Sequence, residues 1–401
     1  MDQNIPPDFR VPGFLASGIS AGLKKIQQKD LALLFSEVPS GVAGVFTTNR
    51  VKAAPVLISM ERVRSGSARA VLINSGSANA CTGRQGLADV RRLSTWIASS
   101  LKVGEEDVLF ASTGVIGKPL PMPLIETNLP LLVSSLSPQG LGDAAQAIMT
   151  TDTFPKAALR RGRVNGQEVT LAGIAKGAGM IGPRMATLLS FVLTDAFVSP
   201  PALRQSLKEG VQKSFNRITV DGDTSTNDTL LVLANGLAGN RKITPGTPGQ
   251  RKFSSLLHDL LFSLAKKIAG DGEGATKLVE ILVQGARTAS DAEKIARAVA
   301  NSPLVKTAFF GEDANWGRIL CAAGYSGAAI DPDRMDVFFD DVDIVRRGQG
   351  TGLEKERQAS AVMKRREYTV RLNLHLGKRN ASIFTTDFSY DYVKINASYR
   401  S

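Results

Sequence analysis

Histidine is nearly missing from this chain of 401 residues, which contains only His258 and His375. His258 lies in the helical pattern FSSLLHDLLFSLAKK and His375 in the alternating strand TVRLNLHLG; neither sits in a motif, and both read as structural. A multi-histidine metal site is therefore disfavoured, and a Ser-His-Asp or Cys-His triad has little support. Cysteine is as scarce: Cys81 and Cys321 show no metal-ligand spacing and read as free thiols. No run of about 18 apolar residues marks a membrane span. The opening MDQNIPPDFRVPGF lacks the basic-then-apolar order of a signal peptide. These absences lead us to expect a cytoplasmic protein with no membrane partner and no bound metal.

Glycine, by contrast, is abundant, with 38 residues, while aromatics make up 6%; that mix suits many strands and tight turns. The length predicts two or three domains with a large core. The formal net charge of +12 points to anionic partners. The basic residues are dispersed apart from Arg346, Arg347 and the run from Lys355 to Arg366, and no aromatics are interleaved for base stacking. A carboxylate-bearing substrate is an equally good account of the charge, and charge kept for solubility weighs about as much as both together.

Strand-like runs occur at 31–37 and 42–48, separated by Pro39-Ser40-Gly41, which predicts a turn. A short strand at 70–73 enters the polar loop NSGSANACTG, and a helix is expected over 85–102. The strand at 108–111 runs into Ser112-Thr113-Gly114, either an ordinary turn or an anion-binding one that brings backbone N–H groups close to an oxygen. TTDTFPK (150–156) is either a helix-ending turn or a hydroxyl wall for a polar ligand. The loop DGDTSTNDT (221–229) carries Asp221, Asp223 and Asp228 but lacks the distal glutamate of a calcium loop, so it reads as a polar turn supporting a site. Glu273, between the glycines of GDGEGATK, is ambiguous alone. Further strands are expected at 305–311 and in YVKINASYRS at the C-terminus. Strands and helices intermix without a strict βαβ repeat, which predicts an α/β (α+β) fold with substantial antiparallel sheet.

The stretch AKGAGMIGPRMATLLSFVLTDA (175–196) passes from a glycine-rich loop into a buried strand, with Thr187 at the junction. One reading is a threonine that opens a strand. The other is a nucleophile exposed by cleavage of the Ala186–Thr187 bond. The freed α-amine, with a pKa near 8, could serve as base for its own hydroxyl without any histidine.

KGAGMIGPRMATLLSF resembles the signature of the ornithine acetyltransferase family, also called glutamate N-acetyltransferases. Other family-like segments follow the family order: GVFTTNRVKAAPV, VLINSGSANACTG, STGVIG, MTTDTFPK, DGDTSTNDT, GDGEGATK, EDANWGRI and YDYVKINASYRS. The resemblance covers essentially the whole chain. It implies an αββα-type sandwich with mixed, largely antiparallel sheets. It also implies self-cleavage into an alpha chain, 1–186, and a beta chain, 187–401, assembled as α2β2. Thr187 is then the acetyl-carrying nucleophile and Thr113 with Gly114 the oxyanion hole. Substrate contacts come from Thr150, Lys176, Thr187, Glu273, Asn396 and Ser401. Lys176 suits an α-carboxylate and Glu273 a side-chain ammonium. The family commonly ends INADYRT, so Ser398 and Ser401 are departures, the second retaining a hydroxyl. The implied reaction passes acetyl from N-acetylornithine to glutamate in arginine biosynthesis. It needs no resident cofactor, and acetyl-CoA remains open as a second donor. The alternative is a related N-terminal-nucleophile amidohydrolase or aminopeptidase, with water as acceptor.

Overall fold

The computed structural model describes residues 5–24, 28–182 and 188–398. The chain divides into two compact units, one of residues 1–216 and 223–268, the other of residues 217–222 and 269–401.

Among the described residues of the first unit, eight strands form one mixed sheet: β1 (Phe14–Ile19), β2 (Leu31–Phe46), β3 (Ser67–Asn74), β4 (Val108–Ser112), β5 (Lys156–Val164), β6 (Gln167–Lys176), β7 (Leu189–Thr194) and β8 (Thr229–Ala234). Their order is β4-β3-β2-β8-β7-β6-β5, with β1 also paired to β2. Only β3–β4 and β7–β8 run parallel. The helices are α1 (Ala54–Arg62), α2 (Gly83–Leu101), α3 (Met122–Ser134), α4 (Leu141–Ala147), α5 (Pro200–Lys213) and α6 (Pro248–Gly270). Both faces of this sheet are covered, which is why its central strands read as unbroken apolar runs. In LALL of β2, Leu31 and Leu33 pack with residues of α1, α2 and α3, while Ala32 and Leu34 pack with those of α4. Every residue of β7 and β8 is buried.

The turn expected at Pro39-Ser40-Gly41 is instead the interior of the 16-residue strand β2. The pairing of β2 with β3 shifts register between Phe35 and Ser40. A bulge of this kind accommodates a proline that has no N–H to give to the ladder.

In the second unit the described strands are β9 (Leu278–Ala286), β10 (Asp336–Phe339), β11 (Val342–Arg346), β12 (Gln349–Gly350), β13 (Glu367–Asn373) and β14 (Arg379–Thr386), ordered β12-β11-β10-β13-β9-β14. Only β13–β9 is parallel. Helices α7 (Ala289–Asn301), α8 (Pro303–Phe310), α9 (Trp316–Gly324), α10 (Leu353–Met363) and α11 (Tyr390–Ala397) complete it. The stripe Ala292, Ile295, Ala296, Val299 and Ala300 of α7 enters the core beside Val279, Ile281 and Val283 of β9.

Two expected strands are helices. Residues 305–311 lie mainly in α8, which Ser302 caps by accepting from the Val305 amide, with Pro303 at the first helical position. The C-terminal stretch forms α11, capped by Ser389, whose Oγ accepts from the Tyr392 amide. The mixed, largely antiparallel sheets agree with the sequence-based expectation, one sheet to each unit. Among the described residues, no helix is long and apolar enough to cross a membrane.

Candidate active site

In the first unit the site begins where β3 and β4 end side by side, with Asn74 opposite Ser112. The Ser112 hydroxyl donates to Asn74 Oδ1 at 2.5 Å, and the Thr113 amide donates to the Asn74 carbonyl at 3.0 Å. Asn74 Nδ2 donates to the Ser77 carbonyl at 2.9 Å. The Ser-Thr-Gly turn is thus folded against the polar loop after β3. Gly114 has φ +129°, and a Cβ there would lie 2.5 Å from the Gly76 carbonyl carbon, so the position requires glycine. Asn227 braces the turn from the 221–229 loop: its Nδ2 donates to the Ala78 carbonyl at 2.6 Å and the Ser112 carbonyl at 2.8 Å.

Lys176, the last residue of β6, is 3% exposed. Its ammonium donates to the Thr150 hydroxyl at 2.7 Å and the Thr113 hydroxyl at 3.2 Å. Asp152 organises the lysine's surroundings. Its Oδ1 accepts from Lys156 Nζ at 2.6 Å and the Gly177 amide at 2.7 Å, and its Oδ2 accepts from the Thr150 amide at 2.9 Å. Burial opposes ionisation of this carboxyl, but the charges of Lys156 and Lys176 outweigh it and hold Asp152 well below the usual carboxylate range. Lys24 is a further cation of this neighbourhood. Burial lowers its ammonium to about 8, against the favourable carboxylates of Asp30 and Asp152.

The second unit places Glu273 and Asn396 together: Asn396 Nδ2 donates to Glu273 Oε2 at 2.9 Å. The loop carrying Glu273 is pinned by Asp387, whose Oδ1 accepts from the Thr276 and Lys277 amides at 2.9 Å each and whose Oδ2 accepts from the Thr276 hydroxyl at 2.6 Å. The Ser389 hydroxyl donates to the Gly274 carbonyl at 2.6 Å. Beneath Asp387 lies Lys306, 1% exposed, which donates to the hydroxyls of Thr385 and Thr386 at 3.0 Å each and to the Thr386 carbonyl. Burial lowers its ammonium to about 7, against the carboxylates of Asp387 and Asp221.

The structure therefore gathers Thr113, Gly114, Thr150 and Lys176 in one unit, and Glu273 with Asn396 in the other. Ala186, Thr187 and Ser401 lie outside the described residues. Within TTDT, Thr150 supplies the hydroxyl that Lys176 reaches. Cys81 and Cys321 are free and exposed. His258 contacts the Ser206 carbonyl at 3.1 Å, and His375 pairs with Asp336 at 2.8 Å. No metal-type cluster occurs among the described residues, and Asp228 instead accepts from the Leu188 amide. Sequence reasoning passed over Asp152, Lys156, Asn227, Lys24 and Lys306. The signal for Asp152 was present, since a carboxylate among hydroxyls at a strand entrance needs a buried cation. Lys156 and Lys306 gave none, because a fully buried lysine reads as a surface residue.

A mixed α+β fold whose strand ends collect a buried lysine, two threonine hydroxyls and a glycine turn is the setting of an acyl-transferring enzyme. The ArgJ family profile matches residues 15–401. Arginine biosynthesis bifunctional protein ArgJ of Geobacter sulfurreducens is 54% identical, covering 98% of this chain and 100% of its own. The protein of that name from Symbiobacterium thermophilum is 52% identical over 97% of each chain. A solved chain of the Bacillus halodurans ArgJ protein is 43% identical with a TM-score of 0.50, matched over 97% of its own length and 52% of this one. The chain belongs to the ArgJ family of arginine-biosynthesis enzymes.

Proposed function

We propose that the protein transfers acetyl from N-acetylornithine to glutamate through an acetyl ester on Thr187, after the Ala186–Thr187 bond has been cut. The observation that carries this reading is Lys176 Nζ, which reaches the Thr113 and Thr150 hydroxyls together at the mouth of the Ser-Thr-Gly turn. β7 starts two residues after Thr187 and pairs with β6, whose last residue is Lys176. The lysine thus ends the strand that pairs with the one opening just after Thr187 in sequence.

The Thr113 amide is already given to the Asn74 carbonyl, so Thr113 contributes its hydroxyl to the oxyanion and Gly114 its amide. Lys176 donates to that hydroxyl's oxygen, which leaves the hydroxyl proton for the developing oxyanion and polarises it. Each donor of this kind contributes about 3 to 4 kcal/mol to acyl transfer. The Thr187 amine takes the hydroxyl proton during attack on the acetyl carbonyl and passes it to the departing ornithine nitrogen. Glutamate then occupies the same place, and its amine takes the acetyl group from the ester. Glu273 receives the ornithine ammonium, with Asn396 fixing the carboxylate and Ser401 supplying a hydroxyl.

The 52% coverage of this chain by almost the whole of a solved ArgJ chain supports a mature enzyme of two chains, 1–186 and 187–401, which we place in an α2β2 assembly in the cytoplasm. Acetyl-CoA is the second acetyl donor on this reading, in keeping with the relatives' designation as bifunctional. No resident cofactor takes part.

Intact mass spectrometry should find the two fragments. Consumption of N-acetylornithine should depend on glutamate and give parallel double-reciprocal lines. A single chain with full activity, or consumption with water alone as acceptor, would overturn the proposal, the latter in favour of an amidohydrolase.

A further inference from the structure

Leu188, the residue directly after Thr187, is held in an unusual way. Its carbonyl accepts from the Thr229 amide at 3.0 Å, as expected where β7 and β8 run parallel with Leu189 opposite Thr229. A continued ladder would give the Leu188 amide to the Asn227 carbonyl. That carbonyl instead accepts from the Thr229 hydroxyl at 3.0 Å, and the Leu188 amide donates to Asp228 Oδ1 at 2.9 Å. Asp228 is itself fixed through its backbone, where its carbonyl accepts from the Thr47 amide at the end of β2 at 3.0 Å.

The Asp228 side chain is fully buried, and its Oδ2 has no hydrogen-bond partner among the described residues. Burial pushes this carboxyl well above its usual range, against the Leu188 amide, the nearby Thr47 hydroxyl and the charge of Lys176. An asparagine of the same length keeps an acceptor oxygen where Oδ1 receives the Leu188 amide.

We propose that Asp228 is the positioning residue for the Thr187 nucleophile: its side chain, substituting for a ladder carbonyl, grips the amide one peptide bond from Thr187 and so sets the chain for both self-cleavage and acetyl transfer. This rests on the proposed function, with Thr187 as the reacting threonine.

The test uses the full-length precursor as wild type, Asp228→Asn and Asp228→Ala. Cleavage is followed by intact mass against time, and kcat and KM are measured on the cleaved fraction alongside thermal melting. Asp228→Ala is expected to slow cleavage and lower kcat by about tenfold or more while KM moves less than about threefold, the pattern of a lost transition-state arrangement. Asp228→Asn is expected to rescue both rates to within about threefold of wild type, since a factor of three corresponds to only about 0.7 kcal/mol. Should Asp228→Ala not fold, Asp228→Ser replaces it: the hydroxyl is too short to reach the Leu188 amide, and the same losses are expected. An alanine or serine variant that cleaves and turns over like wild type overturns the inference. So does an asparagine variant as slow as alanine, which would assign Asp228 an acid rather than a positioning role. Wild type that neither cleaves nor transfers acetyl removes the proposed function and this inference together. Wild type that does both, beside an unimpaired alanine variant, removes the inference alone.

Discussion

Asp152 takes donors from three points of the chain: the amide two residues before it, the lysine four residues after it, and the amide that follows Lys176. It and Lys156 have fully buried side chains. Removing one member of such a pair strands a buried charge, at a cost of about 3–5 kcal/mol. Asp152→Asn should therefore lower the unfolding free energy by that order and reduce acetyl transfer, because Thr150 and Lys176 lose their common anchor. Its pH dependence has a definite sign. The folded carboxyl is held below its unfolded value, so its contribution is complete above about pH 4 and fades as pH falls further. Denaturant titrations from pH 2 to 7 should show a shallower acid limb for the variant. Lys306 has the opposite ionisation. Its ammonium is lowered to about 7 from an unfolded value near 10, so stability linked to it should rise with pH between those values and be flat below. Lys306→Met should abolish that rise; a rise unchanged in the variant would refute the assignment.

At the scale of elements, the 221–229 loop supports the site in two directions, with Asn227 on the Ser-Thr-Gly turn and Asp228 on the entrance to β7. Asn227→Ala leaves the Ala78 and Ser112 carbonyls without this donor and frees the Ser-Thr-Gly turn, the proposed oxyanion hole, to shift. We expect kcat to fall by about tenfold or more with KM little changed, since loosening an oxyanion donor by a fraction of an ångström forfeits most of its effect. Equal rises in KM with kcat intact would contradict the bracing role. Much of this layout was legible beforehand: β6, β7 and β8 each carry a mostly apolar buried stretch, and polar loops follow β3 and β4. The 221–229 loop was recognisable as a supporting turn, but not which of its side chains gripped what, since those partners lie more than 100 residues away in sequence for Asn227. Pro39 misled because a bulge and a turn share the same residues. Phe309-Phe310 and Val393 misled because β-branched and aromatic residues favour strands only weakly, and the serine caps at Ser302 and Ser389 decided for helix.

For the whole molecule, the cut proposed at Ala186–Thr187 does not fall between the two compact units. It falls within the first, between β6 and β7, and the boundary of the second lies far downstream. β7 is paired on one side with β6 and on the other with β8, over six residues each. The β6–β7 ladder, and the β2–β8 ladder of six residue pairs on the far side of β8, join the proposed alpha chain to the beta chain along the middle of one sheet. Native size-exclusion of the cleaved protein should accordingly show both fragments eluting together, separating only under denaturant. Fragments that part under native conditions would show that the sheet is not continuous after cleavage.

The central place of β7 has a consequence for how the protein is made. A strand in the middle of a sheet can be inserted only while its neighbours are still finding one another. On the proposed cleavage, the uncut precursor is its own assembly template, delivering β7 to β6 at the effective concentration of a short tether. Once the peptide bond is gone, that advantage cannot be recovered. Polypeptides 1–186 and 187–401 produced separately and then mixed should yield little of the activity that the same two chains possess when born as one.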